Sequence, residues 1–494
     1  MTTDSLTSIE SGIYRGGGHG RVLLVLLAVG VPWGIWSVSV LLDCGGSQLA
    51  ALDATMGCFV LLAVGYLGLY GLKRLAWYSV PVFVTLNALV QFIGIPAWLF
   101  ATGGELADSL YVHAMLIALI GFTAFWIGSL GVMKEAKLRF APRVGDKSNR
   151  LACISAVMLA LGVSGKLVMW KVGLFSYIAD PVLMQSSLWF IQWLVFIANL
   201  LNLALIVSAI EVFGRRSDGS FMKAVLWLSV IFSIGFGAIS GMKSGVWLPL
   251  LYLLLIYCIT NGRIPRIAFL LPLLVLIYPF SIAYRANLRQ SYSRTQVNTV
   301  EGLEVVLKKS FVDVVDSPFT KGTIAGQGLD ETVSRMSELK YVYDVISLHD
   351  YSLLQNDEPI WFAPLYPLVP RILWKDKPVL NKGDRLSIAL GRPADTSSAI
   401  TPIGDFYLTY GTPGVIIGMF LYGICLQLYT NCVTHGITTD RSLFVYILML
   451  LQLANFEADV FSYVASAVQY AVIVVFMSYV IYGQSVFRER AARL

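Results

Sequence analysis

The feature that most constrains this chain is a series of apolar blocks, each about 17 to 28 residues long, separated by short polar stretches. A bilayer core is crossed by about 20 apolar helical residues, so each block has the length of a transmembrane helix. Charged residues make up 13% of the sequence, against roughly 25% in soluble domains. A water-soluble globule is therefore excluded, and we predict an all-α polytopic membrane protein.

About twelve transmembrane helices are predicted from the apolar runs and the residues that interrupt them. They cover residues 21–42, 55–72, 77–101, 109–133, 151–172, 187–213, 223–240, 245–260, 266–284, 405–433, 441–459 and 462–484. The seventh and eighth are separated by the sequence Ser-Gly-Met-Lys-Ser-Gly, which predicts a tight hairpin with Lys243 at its outer tip.

The distribution of Lys and Arg predicts which ends of these helices face the cytoplasm. Nineteen of them lie in the termini and short loops of one side, and three near the helix ends of the other. Cytoplasmic loops carry the excess of positive charge, so both termini are predicted to be cytoplasmic. The basic balance thus reflects topology, and no nucleic-acid partner is predicted. The resulting regions are a cytoplasmic segment 1–20, helices one to nine in 21–284, an external loop 285–404, helices ten to twelve in 405–484 and a cytoplasmic tail 485–494.

The external loop is large enough to fold outside the bilayer. Two amphipathic helices are predicted in it: Leu303, Val306, Phe311 and Val314 share one face, as do Val333, Met336, Leu339, Tyr343 and Ile346. After Pro359, closely spaced prolines and aromatic residues indicate an irregular loop over the outer end of the bundle.

Basic residues on the external side run against the topological bias and are candidates for binding an anion. Arg offers a planar fork to two phosphate oxygens and Lys a compact charge, so a phosphate or diphosphate is the ligand they suit. A diphosphate at the membrane surface indicates a lipid-linked substrate. The alternative is that long cationic side chains at helix ends simply reach the headgroups. The candidates are Lys166, Lys243, Arg285, Arg289, Arg371, Lys377 and Arg385.

Asp405 is an acid at the predicted outer start of the tenth helix, beside a basic run that comprises Arg371, Lys375, Lys377, Lys382 and Arg385. A carboxylate there is a candidate general base for a hydroxyl nucleophile, or alternatively a helix-start residue that complements the macrodipole. Glu457, Asp459 and His349 are the second choices. Glu457 and Asp459 alone supply too few oxygen ligands for a metal, so no metal or cofactor is predicted. His113 is expected to be a core residue.

Two segments resemble the Wzy-type oligosaccharide repeat-unit polymerases of bacterial O-antigen and exopolysaccharide export. They are Pro-Arg-Ile-Leu-Trp-Lys-Asp-Lys-Pro at 370–378, followed by Gly383, and TPIGDFYLTYGTPGVIIGMFLYG at 401–423. The hairpin at Lys243 is similar to the small-residue turn of that family. By position, Arg371, Lys377 and Gly383 fall on its external-loop motif, which Trp374 and Pro378 help to shape, and Asp405 falls on an acidic position often occupied by Glu.

The resemblance implies a GT-C-like membrane glycosyltransferase of the bacterial inner membrane. Its substrate would be an undecaprenyl-diphosphate-linked oligosaccharide, polymerised on the outer face without a metal. The implied protein partners are a chain-length regulator of the polysaccharide co-polymerase type and a flippase.

Two other functions remain open at this point. A flippase or secondary transporter is expected to have charges at the membrane midplane, broken helices and repeat symmetry. An O-antigen ligase catalyses nearly the same chemistry, and only the motif resemblance separates it from a polymerase. The large external loop and the apolar midplanes of the predicted spans favour the polymerase.

Overall fold

The computed structural model describes residues 48–72, 79–101, 108–134, 148–172, 174–175, 188–214, 219–240, 243–261, 284, 287, 300–316, 337–348, 365, 369, 382–392, 399–434, 440–454 and 456–483. Every regular element in these residues is helical. Eight of the helical segments are long and apolar enough to cross a membrane. The described part of the chain is therefore all-helical and has apolar helices that can cross a membrane, as predicted for the fold class.

The helices are numbered in chain order. They are α1 (Gln48–Leu72), α2 (Val80–Ala88), a π-helix (Leu89–Gly94), α3 (Ile95–Ala101), α4 (Ser109–Gly131), α5 (Ser148–Lys171), α6 (Leu188–Gly214), α7 (Ser220–Ile239), α8 (Lys243–Asn261), α9 (Val300–Asp316), α10 (Glu338–Ile346), α11 (Lys382–Ala389), α12 (Thr401–Thr434), α13 (Asp440–Leu453) and α14 (Val460–Tyr482). The predicted spans 21–42 and, apart from Tyr284, 266–284 lie outside the described residues.

The chain divides into two compact units. The first comprises residues 1–139, 333–437 and 448–474, and the second comprises residues 140–332, 438–447 and 475–494. The first unit contains α4, α10, α11 and α12, and it holds the candidate site.

Helices α4 and α12 run parallel and in very close contact in the first unit. A Cβ added to Gly128 would lie 2.2 Å from the carbonyl oxygen of Phe420, and one added to Gly423 would lie 2.2 Å from that of Phe125. The two glycines therefore permit an approach of main chain to main chain that no larger residue allows. We call this contact the glycine seam. The predicted topology also makes the fourth and tenth spans parallel, because both run from the outer to the inner face.

Buried polar side chains join α1 to this pair near its C-terminal end. Tyr66 Oη and Ser129 Oγ are 2.8 Å apart, and the Tyr70 hydroxyl donates to Oε1 of Gln427. Gln427 Nε2 donates to Asn431 Oδ1 at 2.8 Å, and Asn431 Nδ2 donates to the carbonyl oxygen of Val132 at 2.7 Å. These hydrogen bonds give partners to the buried polar side chains and to the carbonyl of Val132 at the end of α4. Lipid offers such groups no hydrogen bonds.

Helix α12 is broken at Gly411, whose φ of 61° and ψ of −154° are not helical. A Cβ added to Gly414 would lie 2.6 Å from the carbonyl oxygen of Phe406, although eight residues of straight helix span about 12 Å. The first arm, residues 401–410, therefore folds back along the second arm, residues 412–434. The prediction of one continuous span over 405–433 was wrong in this respect.

The second unit contains two close helix pairs. Helices α5 and α6 pack antiparallel, with Gly162 against the main chain of Leu201 and Gly165 against that of Ala198. Helices α7 and α8 form the predicted hairpin, in which a Cβ on Gly237 would lie 2.3 Å from the carbonyl oxygen of Gly245. The small residues around the turn thus let the two helices approach closely.

The predicted amphipathic helices exist, but their buried faces differ from those expected. In α9, Val306 and Ser310 are buried while Phe311 is 63% exposed. In α10, the fully buried residues are Leu339, Val342 and Val345. Asn287 explains which face of α9 is buried. Its Nδ2 donates to Ser310 Oγ at 3.2 Å and to Asp313 Oδ2 at 2.7 Å, both on that face.

Candidate functional site

The centre of the site is an ion pair between α11 and the first arm of α12. Lys382, the first residue of α11, donates from its ammonium to Oδ1 of Asp405. Their side chains are only 7% and 5% exposed. A buried charge is stable only when it is paired, and breaking such a pair is more costly than forming it is favourable. We call Lys382 and Asp405 the buried pair.

The backbone around Asp405 is fixed by the start of α12. Thr401 has a φ of 60°, a left-handed conformation that is unfavourable for a β-branched residue. Its hydroxyl accepts a hydrogen bond from Gly404 N at 3.1 Å. Strained residues of this kind are found near functional sites, where the surrounding structure holds them in place.

Asp405 also contacts the start of α14. Its Oδ2 accepts a hydrogen bond from Val460 N at 2.9 Å, so both carboxylate oxygens have a partner. The preceding residue, Asp459, is the N-cap of the same helix and accepts from Ser462 N at 2.9 Å. Two carboxylates from different helices therefore meet beside one lysine.

The segment between α13 and α14 brings Asp459 into the bundle. Helix α13 ends at Leu453, although the sequence predicted a span as far as residue 459. The carbonyl oxygen of Leu453 accepts hydrogen bonds from the hydroxyls of Tyr422, at 3.2 Å, and Tyr463, at 2.7 Å. Phe456 is 3% exposed, and its ring centroid lies 5.5 Å from that of Phe122. Phe456 and Asp459 thus anchor this non-helical segment in the protein, a setting in which a membrane domain tolerates irregular backbone.

Asp459 has an altered acidity. Burial raises the pKa of its carboxyl above the ordinary value, and the charge of Asp405 raises it further, while the Ser462 amide and Lys382 oppose the rise. The protonation of Asp459 thus depends on the state of the buried pair.

The site is deeper in the bundle than its predicted position at the outer surface. Tyr407 of the first arm has its ring centroid 6.2 Å from that of His113, and Ile403 approaches Gly121. Asp405 lies between these levels, roughly 6 to 18 Å along α4 from its first residue. His113 itself is exposed, so its expected place in the core was wrong.

Helix α10 forms one wall beside the site. Tyr343 stacks on Tyr111 with ring centroids 4.2 Å apart, and its hydroxyl donates to Asp108 Oδ2 at 3.1 Å. Arg392 donates to Asp344 Oδ2 at 2.7 Å. These contacts hold α10 against α4 and against the end of α11.

Glu338, at the start of α10, is buried with 1% exposure, and its Oε2 has no hydrogen-bond partner among the described residues. Burial raises the pKa of this carboxyl well above its usual range, and the charge of Glu457 adds to the rise. The folded state consequently binds a proton more readily than the unfolded state, and stability falls as the pH rises from about 4.5 through the folded pKa.

We expect Glu338→Gln to raise the melting temperature in detergent at neutral pH, since Gln carries no charge to desolvate. The corresponding gain in the free energy of unfolding is about 1.4 kcal/mol for each pH unit between the unfolded and the folded pKa of Glu338. The gain disappears near pH 4.5, where the carboxyl is protonated in both states. Thermal unfolding across this pH range measures it, with Glu304→Gln on the exposed face of α9 as control. Equal melting temperatures of wild type and Glu338→Gln at neutral pH would contradict the expectation.

The predicted site residues fall into three groups. Asp405 and Gly383 lie at the site, and Arg385 is an exposed residue of α11 three positions after Lys382. Lys166 belongs to the second unit, where its ammonium lies 5.6 Å from the ring centroid of Phe175, and Lys243 begins α8 with its side chain outside the described part. The others lie outside the described residues: Arg285, Arg289, Arg371, Trp374, Lys377 and Pro378.

Two functional candidates were missed or undervalued by sequence reasoning. Lys382 was visible as a member of the basic run, but nothing in the sequence distinguished it from its neighbours. Glu338 was missed because it falls within a predicted amphipathic helix, where an acid ordinarily lies on the solvent-exposed face. Among the described residues, no group of three His, Cys, Asp or Glu side chains is arranged to hold a metal ion.

Comparison with known proteins places the site inside a family. The model of a family described as a domain of unknown function, DUF8712, matches residues 117–484. This range includes α10, α11, α12 and the start of α14, and with them Lys382, Asp405 and Asp459. No curated protein and no solved structure matches the chain.

Proposed function

The chain belongs to the DUF8712 family, a domain of unknown function, and we propose that it is a membrane glycosyltransferase that polymerises lipid-linked oligosaccharides. The substrate is an oligosaccharide repeat unit on undecaprenyl diphosphate, and the reaction takes place toward the outer face of a bacterial inner membrane. The GT-C-like character and the cytoplasmic termini belong to the same proposal.

The observation that supports it is the buried pair. The end of the basic run contacts the stretch 401–423, one of the two segments similar to the Wzy-type polymerases, through Lys382 and Asp405. Both side chains are held inside an apolar bundle at a broken helix, where ionised groups are costly and are retained for function. One cation and one carboxylate are also the two groups that glycosyl transfer from a diphosphate needs.

The transfer assigns a task to each member of the buried pair. The bond between the anomeric carbon and the diphosphate breaks, and its electron pair leaves on the diphosphate, whose charge Lys382 neutralises. The acceptor hydroxyl oxygen forms the new glycosidic bond and gives its proton to Asp405. In the free protein the two side chains neutralise each other, so the diphosphate competes with Asp405 for Lys382.

The remaining diphosphate contacts are assigned to Arg285, Arg289, Arg371 and Lys377, with Lys166, Lys243 and Arg385 as weaker candidates. Since a charge-assisted contact contributes roughly 1.5 to 3 kcal/mol, Ala at any of the first four is expected to lower polymerisation about 10- to 100-fold. Lys at position 371 restores only part of it, because the planar fork is lost. Normal polymerisation by all four Ala variants at matched protein levels would refute this assignment.

The proposal is tested in cells by deleting the gene and separating the surface glycans on a gel. Loss of a polymerase leaves single capped repeat units, and the wild-type gene restores long chains. Lys382→Ala is expected not to restore them. Lys308→Ala is the matched control, because Lys308 forms an exposed ion pair with Glu304 that contributes little. Long chains in the deletion strain would contradict the proposal.

A flippase is the second candidate, and the fold-back of α12 is the observation that favours it. Broken helices with buried charges are typical of transporters, and the first arm places Asp405 inside the bundle. Loss of a flippase leaves no surface repeat units at all. The same gel therefore separates the two functions.

A further inference from the structure

We propose that Asp459 and Asp405 act as one carboxylate pair, which takes up the acceptor's proton when Lys382 turns from Asp405 to the diphosphate. The inference rests on the proposed glycosyl transfer and adds Asp459 as a residue that acts through Asp405.

The two carboxylates are held close together in one buried place. Asp405 Oδ2 accepts from Val460 N at 2.9 Å, and Asp459 is the adjacent residue, bonded to Ser462 N at 2.9 Å. Asp405 is 4% exposed and Asp459 8%. Each carboxylate is bound to the main chain of α14, so neither is free to move away from the other.

The charge of Lys382 compensates both carboxylates. In the free protein this ammonium contacts Asp405 and also lowers the pKa of the Asp459 carboxyl. When Lys382 neutralises the diphosphate, both carboxylates lose that compensation at once. Two neighbouring carboxylates in a buried site do not both stay ionised easily, and one proton is then shared between them.

The proton comes from the acceptor hydroxyl. The acceptor hydroxyl loses its proton as its oxygen bonds to the anomeric carbon, and the diphosphate departs with the electron pair of the broken bond. The proton passes to Asp405 and is shared with the neighbouring carboxylate of Asp459. Substrate binding thus creates the base at the moment when it is needed.

The other ionisable groups near Asp459 or its segment stay unchanged in the variants that are compared. They are Lys382 of α11, Asp405 of α12, Glu457 of the same segment, Glu338 of α10, which is coupled to Glu457, and the hydroxyls of Tyr422 and Tyr463.

The test is the pH dependence of polymerisation by the full-length purified chain in liposomes, supplied with lipid-linked repeat units extracted from the deletion strain. Asp459→Asn keeps the N-cap, since Asn caps as well as Asp, but removes the charge. We expect the rate to fall about 10- to 100-fold and the acid limb of the profile to move to lower pH by about one unit. The shift is downward because the carboxylate pair loses one of its two like charges.

Glu304→Gln is the matched control. Glu304 is 58% exposed in its ion pair with Lys308 on α9, so this variant makes the same change from carboxylate to amide away from the pair. Asp459→Ser, which also retains a cap, is the second variant in case the first does not accumulate. An acid limb unchanged from wild type would overturn the proposal and leave Asp459 as a structural cap. Absence of chain growth with the wild-type chain would instead refute the proposed function and this inference with it.

Discussion

Asp405→Asn is expected to abolish most chain growth, lowering the polymerisation rate by about 10²- to 10⁴-fold. The substitution keeps the shape of the side chain and still accepts the hydrogen bond from Val460 N, but it removes the proposed base. The leaving diphosphate needs only neutralisation, so deprotonation of the sugar hydroxyl is the step that lacks a partner in this variant. Rates are measured on purified protein with extracted lipid-linked repeat units.

The variant also leaves Lys382 without its buried counter-ion, and a loss of stability has to be separated from a loss of chemistry. Asp405→Asn, Lys382→Ala and the double variant Lys382→Met with Asp405→Asn are therefore compared at matched amounts of folded protein. The double variant removes both charges, so it is expected to be stable but inactive. Near-normal chain lengths in Asp405→Asn would return Asp405 to a structural role and direct attention to Glu457, Asp459 and His349.

Gly423→Leu is expected to have the largest effect on folding. Its side chain would enter the glycine seam, where a Cβ alone already lies 2.2 Å from the carbonyl oxygen of Phe125. The clash is with main chain, so α4 and α12 have to separate, and we expect a loss above about 3 kcal/mol, the upper end for overpacked cores. The yield of monodisperse protein after detergent extraction measures the effect.

Gly65→Leu is the control for this substitution. Gly65 lies in the middle of α1 in the same unit, and a Cβ there would meet nothing within 4 Å. The same change of residue type is therefore expected to leave the yield unchanged. Equal yields of the two variants would show that the close approach of α4 and α12 is not needed for the fold.

The helices were largely predictable because membrane insertion depends on the length of apolar runs. The predicted hairpin of 223–240 and 245–260 corresponds to α7 and α8 within a few residues, and the predicted span 109–133 corresponds to α4. Hydropathy, however, does not record direction changes within one apolar run. The fold-back at Gly411 therefore went unpredicted, although the sequence Gly-Thr-Pro-Gly marks the place where a helix is easily broken.

One member of the buried pair was singled out from the sequence, but the pairing was not. Asp405 was singled out because an acid beside a basic run is unusual in an apolar chain. Its partner was not, because the contact with Lys382 depends on how α11 and the first arm of α12 pack. The depth of Asp459 was also out of reach, since it follows from the early end of α13 and the burial of Phe456.

The central claim is that the chain joins lipid-linked repeat units. The most direct measurement uses the purified full-length chain in liposomes that contain lipid-linked single repeat units from the deletion strain, with the glycans released and separated by size. We expect a ladder of longer glycans that is absent from empty liposomes and from liposomes containing Asp405→Asn. Single repeat units that change leaflet without growing in length would contradict the account and identify a flippase.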